Sequence, residues 1–141
     1  MKYIFVLSLL FLTSCATPYQ ESGLAGGYDE VQLSENSYQI SFRGNGYTSR
    51  QRAEDFALLR AAELTLENGF THFMIINEAS DTSTNLVFNP GSLNVAPSYS
   101  TVTKPRANNT ILMVNQVPDG QFGFDARITS RSMKQKYNIE D

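Results

Sequence analysis

The stretch SYQISFRGNGYTSRQRAEDFALLRAAELTLENGFTHFMIIN, residues 37–77, decides the fold, because its pattern changes from strand to helix and back to strand. Its first seven residues are apolar at the second, fourth and sixth positions and polar between them. This period of two predicts a half-buried strand over 37–43. Gly-Asn-Gly follows at 44–46, where three residues that tolerate positive φ predict a tight reversal of the chain.

A helix is predicted over 49–68, where leucine, alanine, glutamate and arginine dominate. Thr48 or Ser49 is the expected N-terminal cap, and Gln51 stands three residues after Thr48, as in a capping box. Gly69 is the expected stop, because glycine adopts the left-handed conformation that ends many helices.

One face of this helix carries most of its charge. On a helical wheel, Arg52, Arg60, Glu63 and Glu67 form a narrow stripe that only Phe56 interrupts. Glu63 and Glu67 could act as paired acid and base groups, but in such a stripe we expect both carboxylates to be solvated. The remaining surface is broadly apolar and rich in alanine, which predicts that the helix lies closely on a sheet.

The remaining core elements complete an α+β fold in one domain over 28–141. The apolar run THFMIIN at 71–77 is typical of a central strand covered on both faces. Strand, helix and strand in this order predict a βαβ unit with parallel strands and a right-handed crossover. A further core strand is predicted over 110–117, and Asp125 is the expected cap of a C-terminal helix, with a strand over 124–128 as the alternative.

The segment 78–109 has a different character, since serine, threonine and asparagine dominate it. It is expected to form either a long polar loop or an irregular hairpin around residues 89–91. Phe88, Tyr99 and Val102 would be costly to expose without a use, so this segment is also a candidate for contact with a partner.

The first residues have the layout of an export signal. A short apolar run follows Lys2 and is too short to span a membrane, which predicts a cleaved signal peptide over 1–14. The sequence Leu-Thr-Ser-Cys at 12–15 resembles the lipobox of bacterial lipoproteins, which implies that Cys15 carries a thioether-linked diacylglycerol and an N-acyl chain. The alternative is cleavage by the ordinary signal peptidase at Ser-Cys-Ala, 14–16, which would release a secreted protein.

The residues after the lipobox bear on location. In the lipoproteins that this motif resembles, an aspartate after the lipidated cysteine favours the inner membrane, so Ala16 implies the outer membrane, with the protein facing the periplasm. The small and polar residues of 15–27 predict a lipidated N-terminus followed by a flexible tether of roughly 20 Å. The membrane is therefore an expected partner through the lipid anchor.

Composition argues against several other function classes. The chain has 11 basic and 14 acidic residues and a net charge of −3, and its basic residues are scattered, so neither nucleic acid nor anionic lipid is an obvious partner. Cys15 is the only cysteine and His72 the only histidine. We therefore expect no internal disulfide, no catalytic triad and no metal or other cofactor.

One short segment is a candidate ligand site. The turn between the first strand and the helix has the strand-to-helix geometry that often holds anions on backbone N–H groups. It lacks the lysine of a P-loop and the glycine pattern of a dinucleotide site. The candidate residues are Arg43, Gly44, Asn45, Gly46, Thr48 and Ser49.

Several stretches resemble a family of small uncharacterised proteobacterial lipoproteins. They are the FRGNG and TS of 42–49, the LLRAAELTLENGF of 58–70 and the lipobox. The resemblance implies a lipid anchor and no assigned activity, so no site residue follows from it.

We expect a non-enzymatic, outer-membrane-anchored periplasmic domain that binds or supports another envelope protein. Two alternatives stay open. One is a small-molecule or anion binder, or a hydrolase, that uses the turn at 44–49. The other is a purely structural envelope lipoprotein.

Overall fold

The computed structural model describes residues 15–141, and for residues 79–81 and 83 it describes the backbone alone. The predicted signal peptide, 1–14, lies outside the described residues. The described elements, in chain order, are β1 (Gly27–Ser34), β2 (Ser37–Arg43), α1 (Arg50–Glu67), β3 (His72–Asn89), β4 (Ser98–Val114), β5 (Phe124–Asp125) and α2 (Ala126–Tyr137).

The strands form one sheet in the order β1-β2-β4-β3-β5, and every neighbouring pair is antiparallel. Since β2 and β3 both run antiparallel to β4, they are parallel to each other, as predicted. They are not neighbours, however, because β4 lies between them. The α+β class is confirmed, and the predicted βαβ unit is a split one.

Both helices lie on one face of the sheet, where α1 covers β2, β4 and β3 and α2 packs alongside α1. Phe56 of α1 is fully buried, and its ring meets Phe42 of β2 edge to face at 5.1 Å between centroids. Small side chains let α1 approach the sheet, as the alanine-rich sequence predicts. Two buried clusters form the core, one around Ile40, Ala61, Phe73 and Ile111 and one around Phe42, Ala53, Phe56 and Ala107.

The ends of both helices follow local signals. Ser49, one of the two predicted caps, accepts a hydrogen bond from the Arg52 N–H at 3.1 Å. The predicted stop is also confirmed: Gly69 has a φ of +80°, and the Phe70 N–H donates to the Thr65 carbonyl oxygen at 3.0 Å, as in a Schellman motif. Asp125 caps α2, which confirms the predicted C-terminal helix.

The segment 78–109 forms a regular hairpin rather than a loop. β3 and β4 pair without a gap from Asp81↔Arg106 to Asn89↔Ser98, and the chain turns between them. The strands predicted over 71–77 and 110–117 are the inner ends of this hairpin. Of the two predicted alternatives, the hairpin is therefore the one formed.

The prediction that the strand at 71–77 is covered on both faces holds only for its first half. Phe73 and Ile75 point to the core on the helix side, and Met74, which alternates to the opposite face, is only 8% exposed. Ile76 lies at an irregularity of the β3–β4 register and is 56% exposed. Both described helices lie on the other face, so this face has no helix over it. The apolar run at 71–77 is therefore that of a core strand in a fold of two layers, one sheet and one layer of helices.

The charged stripe of α1 is only partly solvated. The Glu67 side chain is 55% exposed, as predicted, but that of Glu63 is only 20% exposed. Arg60 is only 9% exposed, and it donates to the Glu30 carboxylate of β1 at 2.7 and 2.9 Å and to Glu67 at 3.0 Å. Its guanidinium also lies over the Tyr28 ring at 4.8 Å. The hydrogen bonds from Arg60 to Glu30 and Glu67 raise its pKa, so the group stays charged and holds β1 against α1.

Asp55 provides a second buried link, between α1 and α2. Its carboxylate is almost inaccessible and accepts hydrogen bonds from Lys136 and Tyr137, each at 2.5 Å, and from Gln51 at 2.9 Å. Burial alone would raise the pKa of Asp55, but these hydrogen bonds outweigh it and hold the pKa below its usual value.

We expect Asp55→Asn to lower the free energy of unfolding by about 1–3 kcal/mol at pH 7. A carboxylate whose folded pKa is depressed contributes its stability above the unfolded pKa of about 3.9, and loses it as the pH falls through the folded value. The difference between wild type and variant should therefore shrink in urea titrations at pH 3. Asp119→Asn in an exposed turn is the matched control, and an equal difference at both pH values would contradict the prediction.

Candidate functional site

The predicted turn between β2 and α1 is held together by the side chain of Thr48. Its hydroxyl accepts hydrogen bonds from the Thr17 N–H at 3.0 Å and the Asn45 N–H at 3.2 Å, and it donates to Asn45 Oδ1 at 3.0 Å. The same Oδ1 accepts from the Tyr47 N–H at 3.0 Å. Thr48 is 6% exposed, so its hydroxyl serves the turn rather than an external ligand.

The backbone N–H groups of the turn are also engaged. The N–H of Gly44 donates to the Pro105 carbonyl oxygen at 2.9 Å. The N–H of Asn45 donates to Thr17 Oγ1 at 2.8 Å, and that of Thr48 to the Asn45 carbonyl oxygen at 3.1 Å. The backbone cradle expected from the sequence is therefore occupied by the protein itself.

The two glycines of the turn are required by close approach. Neither Gly44 nor Gly46 has a positive φ, contrary to the expectation from the Gly-Asn-Gly sequence. A Cβ on Gly44 would lie 2.6 Å from the Thr48 side chain, and one on Gly46 would lie 2.7 Å from Val102 of β4. The glycines thus let α1 and the hairpin close on the turn.

Arg43, Gly44 and Asn45 line a cleft of about 400 Å³, which we call the basic cleft. β2 and β4 place Arg43 and Arg106 directly opposite each other, and Lys104 follows two residues along on the same face. Arg43 donates to the neutral hydroxyl of Ser22 at 2.5 Å. The other lining residues are Gly23, Leu24, Ala25, Gly26, Asn85 and Pro105.

Two positive side chains in opposed positions repel each other. Among the described side chains, neither Arg43 nor Arg106 has a carboxylate at ion-pair distance. The register does place Asp81 of β3 across from Arg106. Even so, the end of the sheet carries an excess of positive charge around a cavity.

The candidate residues from the sequence divide between this cleft and the scaffold. Arg106 and Lys104 were missed because they lie in the segment expected to be a polar loop or an irregular hairpin, and only the strand register brings them to Arg43. Arg43, Gly44 and Asn45 line the cleft, Gly46 contacts Val102, Thr48 holds the turn, and Ser49 caps α1.

Cys15 lies beside the same turn. It is exposed, and its carbonyl oxygen accepts a hydrogen bond from Asn45 Nδ2 at 2.8 Å. Two residues later Thr17 is fully buried, and its hydroxyl donates to the Ala25 carbonyl oxygen at 2.8 Å. The structure thus differs from the predicted flexible tether over 15–27, because the segment packs on the domain from its first residues. We call Thr17, Asn45 and Thr48 the anchor clamp.

The outer part of the hairpin, 82–89 with 98–105, extends past the last β2–β4 pair, and we call it the arm. At about 3.4 Å per residue it is roughly 27 Å long. Its strands pair with each other but with no further strand of the described chain. The exposed apolar residues of the arm and its tip are Leu86, Val87, Phe88, Leu93, Val95 and Tyr99.

A larger cleft of about 1040 Å³ lies between α1 and the end of α2. Its central charges already neutralise each other, since Glu63 pairs with Arg60 at 3.7 Å and with Lys134 at 3.4 Å. Tyr19 donates a hydrogen bond to Glu63, and burial followed by that bond raises the Tyr19 pKa, so the phenol stays neutral. These ion pairs and this hydrogen bond stabilise the packing of α1, α2 and the N-terminal segment.

His72 shows no catalytic arrangement. Its Nδ1 lies 2.8 Å from Thr71 Oγ1, and its Nε2 is 3.9 Å from Asp125, at the junction of β3 and β5. Among the side chains that the structure describes, no three from His, Cys, Asp or Glu are grouped to hold a metal ion. None of the helices in residues 15–141 is both long enough and apolar enough to cross a bilayer.

Comparison of the chain with known proteins identifies no relative. No family model matches the chain, and neither a curated protein nor a solved structure matches it significantly. Arguments about function therefore depend on the motifs and geometry of this chain.

We expect Arg106→Gln to raise the free energy of unfolding by about 0.2–1 kcal/mol at low salt, because it removes one of two opposed charges. The gain should decrease at high salt, where the repulsion is screened. Denaturant titrations at two ionic strengths would measure both effects, with Arg127→Gln on the exposed face of α2 as the control. A loss of stability in Arg106→Gln at either ionic strength would contradict the prediction.

Proposed function

We propose that this protein is an outer-membrane lipoprotein that faces the periplasm and acts as a non-enzymatic binding module for another envelope protein. The lipobox at 12–15 and the apolar run before it support the anchor. Cys15 is exposed at the surface, which is compatible with acyl chains on its sulfur and amino group. Two or three buried acyl chains hold a protein on a membrane far more firmly than one.

The arm carries the proposal of partner binding. Beyond Pro105, whose carbonyl oxygen accepts from Gly44, each strand of the arm has an outer edge that no other strand of the described chain pairs with. Natural edge strands of this length are usually protected by charged side chains, but residues 82–103 contain no charged residue. A two-edged hairpin that is uncharged over these residues is suited to adding a strand from another chain.

We propose that the occupant of the arm is an extended segment of an envelope protein. Backbone hydrogen bonds along an edge supply affinity, and alternate side chains of the added strand supply specificity. On one face of the arm, Phe88 and Tyr99 pack at 5.2 Å between ring centroids with most of their surface exposed. They offer an apolar contact for those side chains. Self-association through two arms is the competing outcome.

A purely structural envelope lipoprotein would have no use for the two open strand edges of the arm. The hydrolase alternative gains no support from the described residues, because Thr48 and Ser49 serve as scaffold and the sole histidine lies at the β3–β5 junction. The anion-binding alternative is favoured by the basic cleft.

The anchor is tested on protein purified from its own membrane. We expect mass spectrometry of the amino-terminal peptide to find Cys15 as the first residue, with a thioether-linked diacylglycerol and an N-acyl chain. Cys15→Ser should give unprocessed or soluble protein, while Ser22→Ala, outside the lipobox, should be processed normally. An unmodified thiol, or a mature chain that begins after Cys15, would contradict the anchor.

The arm is tested by photo-crosslinking in intact cells. We expect benzoylphenylalanine in place of Val87 to capture a distinct envelope protein, and the same probe in place of Ile128, exposed on α2, to capture none. Thr101→Pro, which removes a backbone donor from the arm, should reduce capture, while Thr101→Ser should preserve it. A product of two copies of this chain, or equal products at both positions, would overturn the proposed partner.

A further inference from the structure

The basic cleft lies next to the residue that is proposed to carry the lipid. Asn45 links the two, because its Nδ2 holds the Cys15 carbonyl oxygen at 2.8 Å while the residue itself lines the cleft. The buried Thr17 fixes the chain two residues further on. There is thus almost no free chain between the anchor and the domain, so the surface around Cys15 must face the lipid headgroups.

The side chains around the cleft suit this position. Leu24, at its rim, is fully exposed, and Tyr47, in the adjoining turn, is 75% exposed. An exposed leucine and tyrosine beside an anchor can insert at the headgroup level, where tyrosine is enriched. Arg43, Lys104 and Arg106 then lie at the depth of the lipid phosphates.

The charges of the cleft select an anion with several oxygens. Arg43 and Arg106 are opposite each other on β2 and β4, and both line the cleft. A phosphate between two guanidinium groups can accept charge-assisted hydrogen bonds from both and removes their repulsion. A volume of about 400 Å³ accommodates a phosphate and a small group attached to it.

We propose that the basic cleft binds a phosphate group, and that in the anchored protein this group belongs to a phospholipid headgroup of the leaflet that holds Cys15. The bound headgroup would fix the orientation of the domain on the membrane. The orientation rests on the proposed anchor. The cleft itself does not, and it can be tested without any lipid on Cys15.

The test uses the chain of residues 15–141 with Cys15→Ser, which lacks both the lipid anchor and the predicted signal peptide. We expect it to float with vesicles of phosphatidylcholine and phosphatidylglycerol, and inorganic phosphate to raise its melting temperature more than chloride does at equal ionic strength. Arg43→Gln with Arg106→Gln should weaken binding by about tenfold per arginine. Arg127→Gln with Arg131→Gln makes the same change of charge on α2 and is the matched control.

The outcomes separate the two sources of phosphate. Flotation that the Arg43/Arg106 pair abolishes and the Arg127/Arg131 pair preserves supports a headgroup in the cleft. Stabilisation by inorganic phosphate without flotation supports the cleft but assigns it to a soluble phosphate. Equal loss in both variant pairs, or no response to phosphate or vesicles while the unfolding curves remain cooperative, overturns the proposal.

Discussion

The double pairing of β4 determines the layout of the whole molecule. Its inner half lies between β2 and β3, while its outer half pairs with β3 alone. The inner half supplies Ala107, Ile111 and Met113 to the core beneath α1. The outer half becomes the arm. The point where β2 ends, at Arg43 opposite Arg106, is therefore both the base of the arm and the floor of the basic cleft.

The same point receives the amino terminus. Thr17 enters the fold there because Thr48 has one hydroxyl that accepts from two backbone N–H groups, one from the terminal segment and one from the turn. A buried hydroxyl with all its hydrogen bonds made is costly to rearrange. The anchor clamp thus couples the position of Cys15 to the sheet, and any membrane attachment through Cys15 sets the orientation of the cleft and the arm together.

Sequence signals predicted those features that depend only on residues near each other in the chain. The ends of α1 and α2 follow from Ser49, Gly69 and Asp125, whose effects reach only a few residues. β1 was not predicted because its core-facing positions include Glu30, which is placed there by Arg60 of α1. For the arm, the sequence left a loop and a hairpin open, because its strands face no core and so lack an apolar alternation. Both depend on partners distant in sequence.

The basic cleft shows why net charge is a weak guide to a partner. The chain is acidic overall, and its basic residues look scattered in the sequence, which argued against anionic lipid. Folding brings Arg43 and Arg106 together through strand pairing, next to the clamped Cys15. Charges more than a Debye length of about 8 Å apart are largely screened at physiological salt. The charges nearest the anchor therefore decide whether a headgroup is attracted, and the charged residues that line the basic cleft, Arg43, Lys104 and Arg106, are all positive.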